Sequence, residues 1–206
     1  MEKLYPINLL NDPESWRLFS IRKNDPAFAP FSQQTLIRDE YTCRFCGFQA
    51  KKFQEVVNLD NNYNNNKLSN MVTACSFCAQ CFFVSTIGMD QYGGGILIYF
   101  PEISQGYLNG FCHVLFCAMG NDTSYRIDAQ NIYRSFKSRS QIIDNCFGEG
   151  ISDPAVFGRI LIDAPETNKS RITEEALPLI RLLPSYTKFA RQAEIWSQDS
   201  LEELST

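Results

Sequence analysis

The sequence predicts an α+β fold in a single domain covering residues 1–206, and three observations carry that expectation. Two matched C-x-x-C pairs, Cys43-Arg44-Phe45-Cys46 and Cys75-Ser76-Phe77-Cys78, mark a compact knuckle module over residues 43–81. Ile96-Leu97-Ile98-Tyr99-Phe100, bounded by Gly93-Gly94-Gly95 and Pro101, has the length and apolar density of a buried strand. From Asp128 onward the apolar residues fall at helical spacing, so residues 121–206 read as mainly helical. The expected architecture is the knuckle module, an additional β-hairpin and a helical C-terminal half.

Taken in order, Asn11-Asp12-Pro13-Glu14-Ser15-Trp16 reads as a helix start with Pro near the first helical position. Asp25-Pro26 and Ala29-Pro30 then punctuate the chain. Between the cysteine pairs, the polar run from Asn58 to Asn66 offers only Leu59 and Tyr63 to a core and reads as a flexible surface loop. The Gly93–Gly95 triplet lacks the Lys and Ser/Thr of a phosphate loop and reads as a hinge. Phe111–Met119 is a second apolar run, and periodicity does not separate a strand from a short buried helix there. Ile132, Phe136 and Ile143 can share a helical stripe, and Ser152 can cap a helix carrying Val156, Phe157, Ile160 and Leu161. Thr173-Glu174-Glu175-Ala176 resembles a helix N-terminus, Pro178 and Pro184 restrict its continuation, and Phe189, Ala193 and Trp196 share a side of a last amphipathic helix.

Composition narrows the function classes. Hydrophobic residues make up 44% and charged residues 20%, a globular balance. The net charge of −4 gives no general attraction for phosphate backbones, so nucleic acid is not an expected partner. The first sixteen residues have no apolar signal-peptide core, and no apolar run approaches the ~20 residues of a membrane span. Eight cysteines are then expected in a reducing, cytoplasmic compartment, where paired thiols hold metal more often than each other.

The two C-x-x-C pairs supply four thiolates suited to the tetrahedral corners of one structural Zn2+, with Cys43, Cys46, Cys75 and Cys78 as the ligands. Gly47 suits the left-handed turn of such a knuckle, and Phe45 and Phe77, in matching positions, can shield the sulfurs. Cys81 is the rival fourth ligand; Cys112, Cys117 and Cys146 read as buried small hydrophobes. An iron–sulfur cluster or a redox disulfide are the other uses of such thiols. Four sulfur ligands leave no open position for substrate, so a zinc held this way contributes folding energy rather than chemistry.

The span Cys43–Cys81 resembles an HNH-type ββα-metal module. Cys43-Arg44-Phe45-Cys46-Gly47 matches the opening of zinc-bearing members, and Ser69-Asn70-Met71-Val72-Thr73-Ala74-Cys75 matches the approach to their second knuckle. Val56-Val57-Asn58 stands where that resemblance places paired histidines, and Ala79 where it often places a last one. Such nucleases need a histidine to activate water. The one histidine here, His113, lies in an apolar run and reads as a core residue; Asn58 cannot accept a proton at neutral pH, and Asp60 lies in the asparagine run. The resemblance is to a degenerate module without catalytic residues.

Nearly the whole chain, including Tyr5-Pro6-Ile7-Asn8-Leu9-Leu10, Ser15-Trp16-Arg17-Leu18-Phe19 and the knuckles, resembles the IcmJ (DotN) family of the Dot/Icm type IVB secretion system. That resemblance implies a non-enzymatic adaptor of the coupling complex. It further implies binding to the C-terminal tail of the coupling ATPase DotL, IcmS–IcmW adaptors in the same assembly, and a cytoplasmic position peripheral to the inner membrane. The competing reading is a nucleic-acid-binding protein or atypical HNH-like nuclease. A docking surface is expected near the helical second half.

Overall fold

The first described residues run extended across the knuckle region in the computed structural model, which describes residues 4–121 and 124–204. Tyr5 N–H donates to Arg44 O and Leu10 N–H to Cys81 O. Helix α1 (Pro13–Lys23) begins where Asp12-Pro13 predicts it. The Asp12 carboxylate accepts from Glu14 N–H at 3.1 Å, and Pro13 sits in the first turn, where its missing N–H is not needed. Helix α2 (Ala29–Arg38) is fastened at its C-terminal end. Buried Asp39 accepts from Thr73 N–H at 2.8 Å and from Arg38, whose guanidinium also donates to Met71 O at 2.7 Å.

Strands β1 (Gln54–Asn58) and β2 (Met71–Cys75) pair antiparallel, from Gln54↔Cys75 to Asn58↔Met71, and helix α3 (Ser76–Ala79) follows directly. The asparagine run between the strands is more than a polar surface loop. Asn58 Nδ2 donates to the carbonyls of Asn62 and Asn65 at 2.8 and 3.0 Å. Asp60 accepts from Asn62 N–H, Asn65 Nδ2 and Asn70 Nδ2. Short amide and carboxylate side chains closing on nearby backbone build a turn without core residues.

Strand β3 (Gly95–Tyr99) is the one the apolar run predicts. Its partner is distant in sequence: β4 (Ile180–Pro184), antiparallel from Gly95↔Pro184 to Tyr99↔Ile180. This long-range ladder stands in place of a local hairpin, and after a 3-10 turn at Leu177–Leu179 the chain continues as strand, Ile180–Pro184, rather than as restricted helix. Pro184 is tolerated because it ends the strand. The glycine triplet is no hinge. A Cβ on Gly95 would lie 2.6 Å from Leu183 O and one on Gly93, at φ +61°, 2.5 Å from Gln80 Oε1, so these residues permit close approach.

The run Phe111–Met119 lies inside α4 (Gln105–Gly120), with Ser104 as its N-cap. This helix packs on β4 and on two later helices, α5 (Arg126–Ser138) and α9 (Tyr186–Leu204). Between those two lie α6 (Ser140–Phe147), α7 (Pro154–Asp163) and α8 (Glu166–Arg171). The expected Ile132–Phe136–Ile143 stripe is broken at Arg139, leaving Ile143 buried in α6 and Ile132 exposed on α5. Asp153 rather than Ser152 caps α7, accepting from Ala155 and Val156 N–H, while Ser152 bonds to Asp144. Residues 173–176 do not start a helix; they belong to a π turn, Ile172–Ala176, that prolongs α8. Phe189, Ala193 and Trp196 are buried on α9, as their spacing predicts. The α+β class holds, and no described helix is long and apolar enough to cross a membrane.

Candidate metal centre

The first cysteine pair sits in the turn between α2 and β1. Cys43 N–H donates to Phe48 O at 2.8 Å and Gly47 N–H to Cys43 O at 2.9 Å, with Gly47 at φ +78° as its place after the pair predicts. This closes a knuckle with both side chains on one side. In the second pair, Cys75 ends β2 and caps α3, while Cys78 lies in α3. Arg44 N–H donates to Thr73 O at 2.9 Å, tying the first knuckle to β2.

The four sulfurs of Cys43, Cys46, Cys75 and Cys78 all lie within 4.8 Å of one another. Cys46 and Cys75 Sγ are 3.7 Å apart, against an edge of about 3.8 Å for a tetrahedron with metal–sulfur bonds of about 2.3 Å. Cys43, Cys75 and Cys78 are buried, and Cys46 is half-buried.

The electrostatics of the donor set test its fit to a cation. Burial opposes ionisation of Cys43, but hydrogen bonds from the Cys46, Cys75 and Cys78 thiols outweigh it and hold this thiol well below its ordinary range. Burial pushes Cys75 and Cys78 well above that range, and hydrogen bonding with Cys43 and Cys46 pushes them further. Cys43 thus ionises more readily than Cys75 and Cys78, and four thiolates packed together call for a cation among the sulfurs. The residues present fit a thiophilic dication.

The remaining cysteines sort by position. Cys81 lies outside the cluster; its Sγ donates to Phe77 O at 3.3 Å, and burial pushes its thiol up to about 12. Cys112 is buried as expected. Cys117 and Cys146 are exposed, against their reading as buried small hydrophobes, because each falls on the solvent side of its helix.

Helix α4 covers the cluster. A Cβ on Gly106 would lie 2.6 Å from Phe45 O and one on Gly110 3.3 Å from Cys46 O, so these glycines let the helix seat on the first knuckle. On the same helix, Asn109 Nδ2 lies 3.2 Å from Cys78 Sγ, and His113 Nε2 lies 3.3 Å from Cys75 Sγ. The His113 ring stacks between Phe48 at 3.6 Å and Phe77 at 4.1 Å, and Trp196 meets it at 5.0 Å. Burial pushes the imidazole down to about 3, so it is neutral. The core reading of His113 captures its burial but misses its sulfur neighbour. The spacing of Asn109 and His113, four apart, was the available signal once Phe111–Met119 is taken as helix. Phe45 and Phe77 are buried beside the sulfurs, as their matching positions suggest.

The positions where an HNH resemblance places histidines are filled structurally. Asn58 is fully buried and accepts from Arg22 Nη1 at 2.7 Å; Arg22 Nη2 donates to Val56 O at 2.8 Å. The guanidinium lies between the Phe28 and Tyr63 rings, 4.4 and 4.6 Å from their centroids. Ala79 is buried. Burial pushes the Asp60 pKa up, but the bonds from Asn65, Asn62 and Asn70 together outweigh it and hold the carboxyl below the usual range.

Strand, strand and short helix carrying two cysteine knuckles under a covering helix define the class: an α+β protein with a closed four-thiol cluster. No protein-family model matches the chain. The chain is 57% identical over 198 residues to the Type 4 apparatus protein DotN of Legionella pneumophila subsp. pneumophila strain Philadelphia 1, an alignment spanning 96% of this chain and 92% of that protein. It belongs to the DotN family.

Proposed function

We propose that this protein is a non-catalytic structural adaptor of a type IVB secretion coupling complex, held in shape by one Zn2+ on Cys43, Cys46, Cys75 and Cys78. The carrying observation is the closed donor set: four sulfurs converge, and a tetrahedral ion so ligated has no position for water or substrate. The zinc would act as a crosslink between the knuckle turn, β2 and α3. The buried Arg22–Asn58 pair supports a retained scaffold rather than a nuclease, since neither group accepts a proton at neutral pH. Membership in the family of a type 4 apparatus protein supports a place in that apparatus.

The partner is the C-terminal tail of the coupling ATPase DotL, with IcmS–IcmW adaptors in the same assembly, on the cytoplasmic side of the inner membrane. A cleft of about 670 Å³ between the N-terminal segment and α4 supports this reading. Tyr107, Phe111 and Val114, which border it, are 75%, 41% and 64% exposed on one face of α4. Apolar side chains aligned in this way suit an amphipathic partner helix. A second apolar cleft in the helical half, bordered by Ile142, Phe147 and Leu179, is the alternative seat.

Metal analysis and tail pull-down with purified protein test both parts. One zinc per chain and capture of the tail, lost in Val114→Asp and kept in Ile142→Asp, is the expected result. Failure of the zinc-loaded protein to bind the tail ends the adaptor reading. Metal-dependent DNA cleavage abolished by changing Asp60 or His113 would establish the nuclease alternative.

A further inference from the structure

Asn109 and His113 project from successive turns of α4 onto the second knuckle. Each places a nitrogen at hydrogen-bonding distance from a different sulfur, 3.2 Å from Cys78 Sγ for Asn109 Nδ2 and 3.3 Å from Cys75 Sγ for His113 Nε2. Both side chains are buried, with Asn109 wholly inaccessible. We propose that these two residues are positioning residues for the metal centre: their N–H groups cap the Cys78 and Cys75 thiolates and hold the ion on the second knuckle. The proposal rests on the zinc reading above.

The orientation of each donor is decided by its surroundings. Asn109 Oδ1 accepts from Gln105 Nε2 at 2.9 Å. Gln105 is itself locked to β4, donating to Leu182 O and accepting from Leu182 N–H, each at 2.8 Å. With its oxygen engaged on that side, the Asn109 amide must present its nitrogen to the sulfur, and it also donates to Phe77 O at 3.2 Å. The His113 ring cannot rotate out of the Phe48–Phe77 stack. Among the described residues its Nδ1 finds no hydrogen-bond partner. A thiolate is an acceptor only, so the ring nitrogen that faces Cys75, Nε2, is the one that carries a proton.

Four thiolates around a dication leave two net negative charges, three of the sulfurs being buried. A buried anion without donors is costly. N–H groups aimed at sulfur disperse that charge and lower its affinity for protons and electrophiles. Neighbours that orient and polarise metal ligands typically govern 10- to 100-fold of metal affinity. The two knuckles are treated unequally. Cys46 is the half-buried sulfur and borders the open cleft beside α4, so chelators and oxidants reach the centre from the first knuckle while the second retains the ion.

The test compares wild type, His113→Phe and Asn109→Leu, variants of similar shape without the N–H donors. Zinc transfer to a chromogenic chelator is timed, and the sulfur-to-cobalt charge-transfer bands of the Co2+-substituted proteins are recorded alongside thermal unfolding. The expected result is one metal per chain in all three, about 10-fold or greater acceleration of zinc release in each variant, and charge-transfer bands displaced to lower energy. A purely packing role would change the melting temperature and leave the bands in place, which overturns the proposal. If Asn109→Leu does not fold, His113→Phe decides alone, since a phenyl ring fills the same stack. Wild-type protein that binds no zinc and gives no thiolate–cobalt bands defeats the underlying zinc reading instead.

Discussion

At the scale of single residues, Cys78 and Cys81 show how little separates a member of the four-sulfur cluster from its neighbour. Both are buried and three apart, yet only Cys78 turns its sulfur into the cluster, while Cys81 donates to the carbonyl of Phe77. Cys43→Ser or Cys78→Ser should therefore abolish zinc binding and yield unfolded or insoluble protein. Cys81→Ala should keep one zinc per chain at a cost of about 1–2 kcal/mol, measured by metal analysis and urea unfolding. Arg22 makes the second residue-scale case. It bridges Asn58 and Val56 between two aromatic rings, so the position where the HNH resemblance places a histidine carries a buried structural pair. Arg22→Ala leaves buried acceptors unsatisfied and should cost about 3 kcal/mol in urea unfolding. Arg22→Lys should rescue little, because an ammonium cannot bridge both acceptors and stack as a plane.

At the scale of elements, α4 is the organising piece, and its closeness to the first knuckle depends on glycine. Gly106→Ala puts a methyl 2.6 Å from a backbone carbonyl that cannot swing aside. It should destabilise by about 2 kcal/mol. Gly110→Ala meets Cys46 O at 3.3 Å, a contact a small shift relieves, and the gain in helix propensity of about 1 kcal/mol should leave it near neutral. Parallel urea titrations check the contrast. The strand partner of β3 belongs to this scale as well. Ile180-Arg181-Leu182-Leu183-Pro184 has no strict alternation and ends in proline, so local pattern does not distinguish it from a broken helix. Pairing with Gly95–Tyr99 decides it, because the glycine there has no side chain to obstruct the carbonyl of Leu183.

At the scale of the whole molecule, the cluster is embedded in the core rather than appended to it. The buried apolar cluster runs from Ile7 and Leu9 through the knuckle cysteines to Phe189 and Trp196. Trp196, on the last helix, packs against Phe48, Phe53, Phe77 and His113 around the sulfurs. If the cluster holds the proposed zinc, its removal should be felt far from the knuckles. Structural zinc contributes on the order of 10 kcal/mol of binding free energy, comparable to the whole stability of a domain. Dialysis against a strong chelator should abolish the near-ultraviolet circular dichroism and the cooperative thermal transition together. A surviving native-like transition for 121–206 would mean that the helical half folds independently of the centre.

Chemistry of short range is legible in the order of residues alone. C-x-x-C spacing brings two sulfurs to one side of a tight turn, the glycine after it supplies the left-handed residue, and Asp12-Pro13 starts a helix, because covalent neighbours alone set these geometries. The lack of histidines at the expected catalytic positions was legible in the same way. Tertiary structure alone decided the choice of Cys78 over Cys81, the pairing of β3 with β4, the burial of Arg22 against Asn58, and the approach of Asn109 and His113 to the sulfurs. Each of these joins residues separated by long stretches of chain, Arg22 and Asn58 by 36 positions and His113 and Cys75 by 38. Such contacts leave no local periodicity, because their free energy comes from burial and hydrogen bonding that exist only once the core has formed.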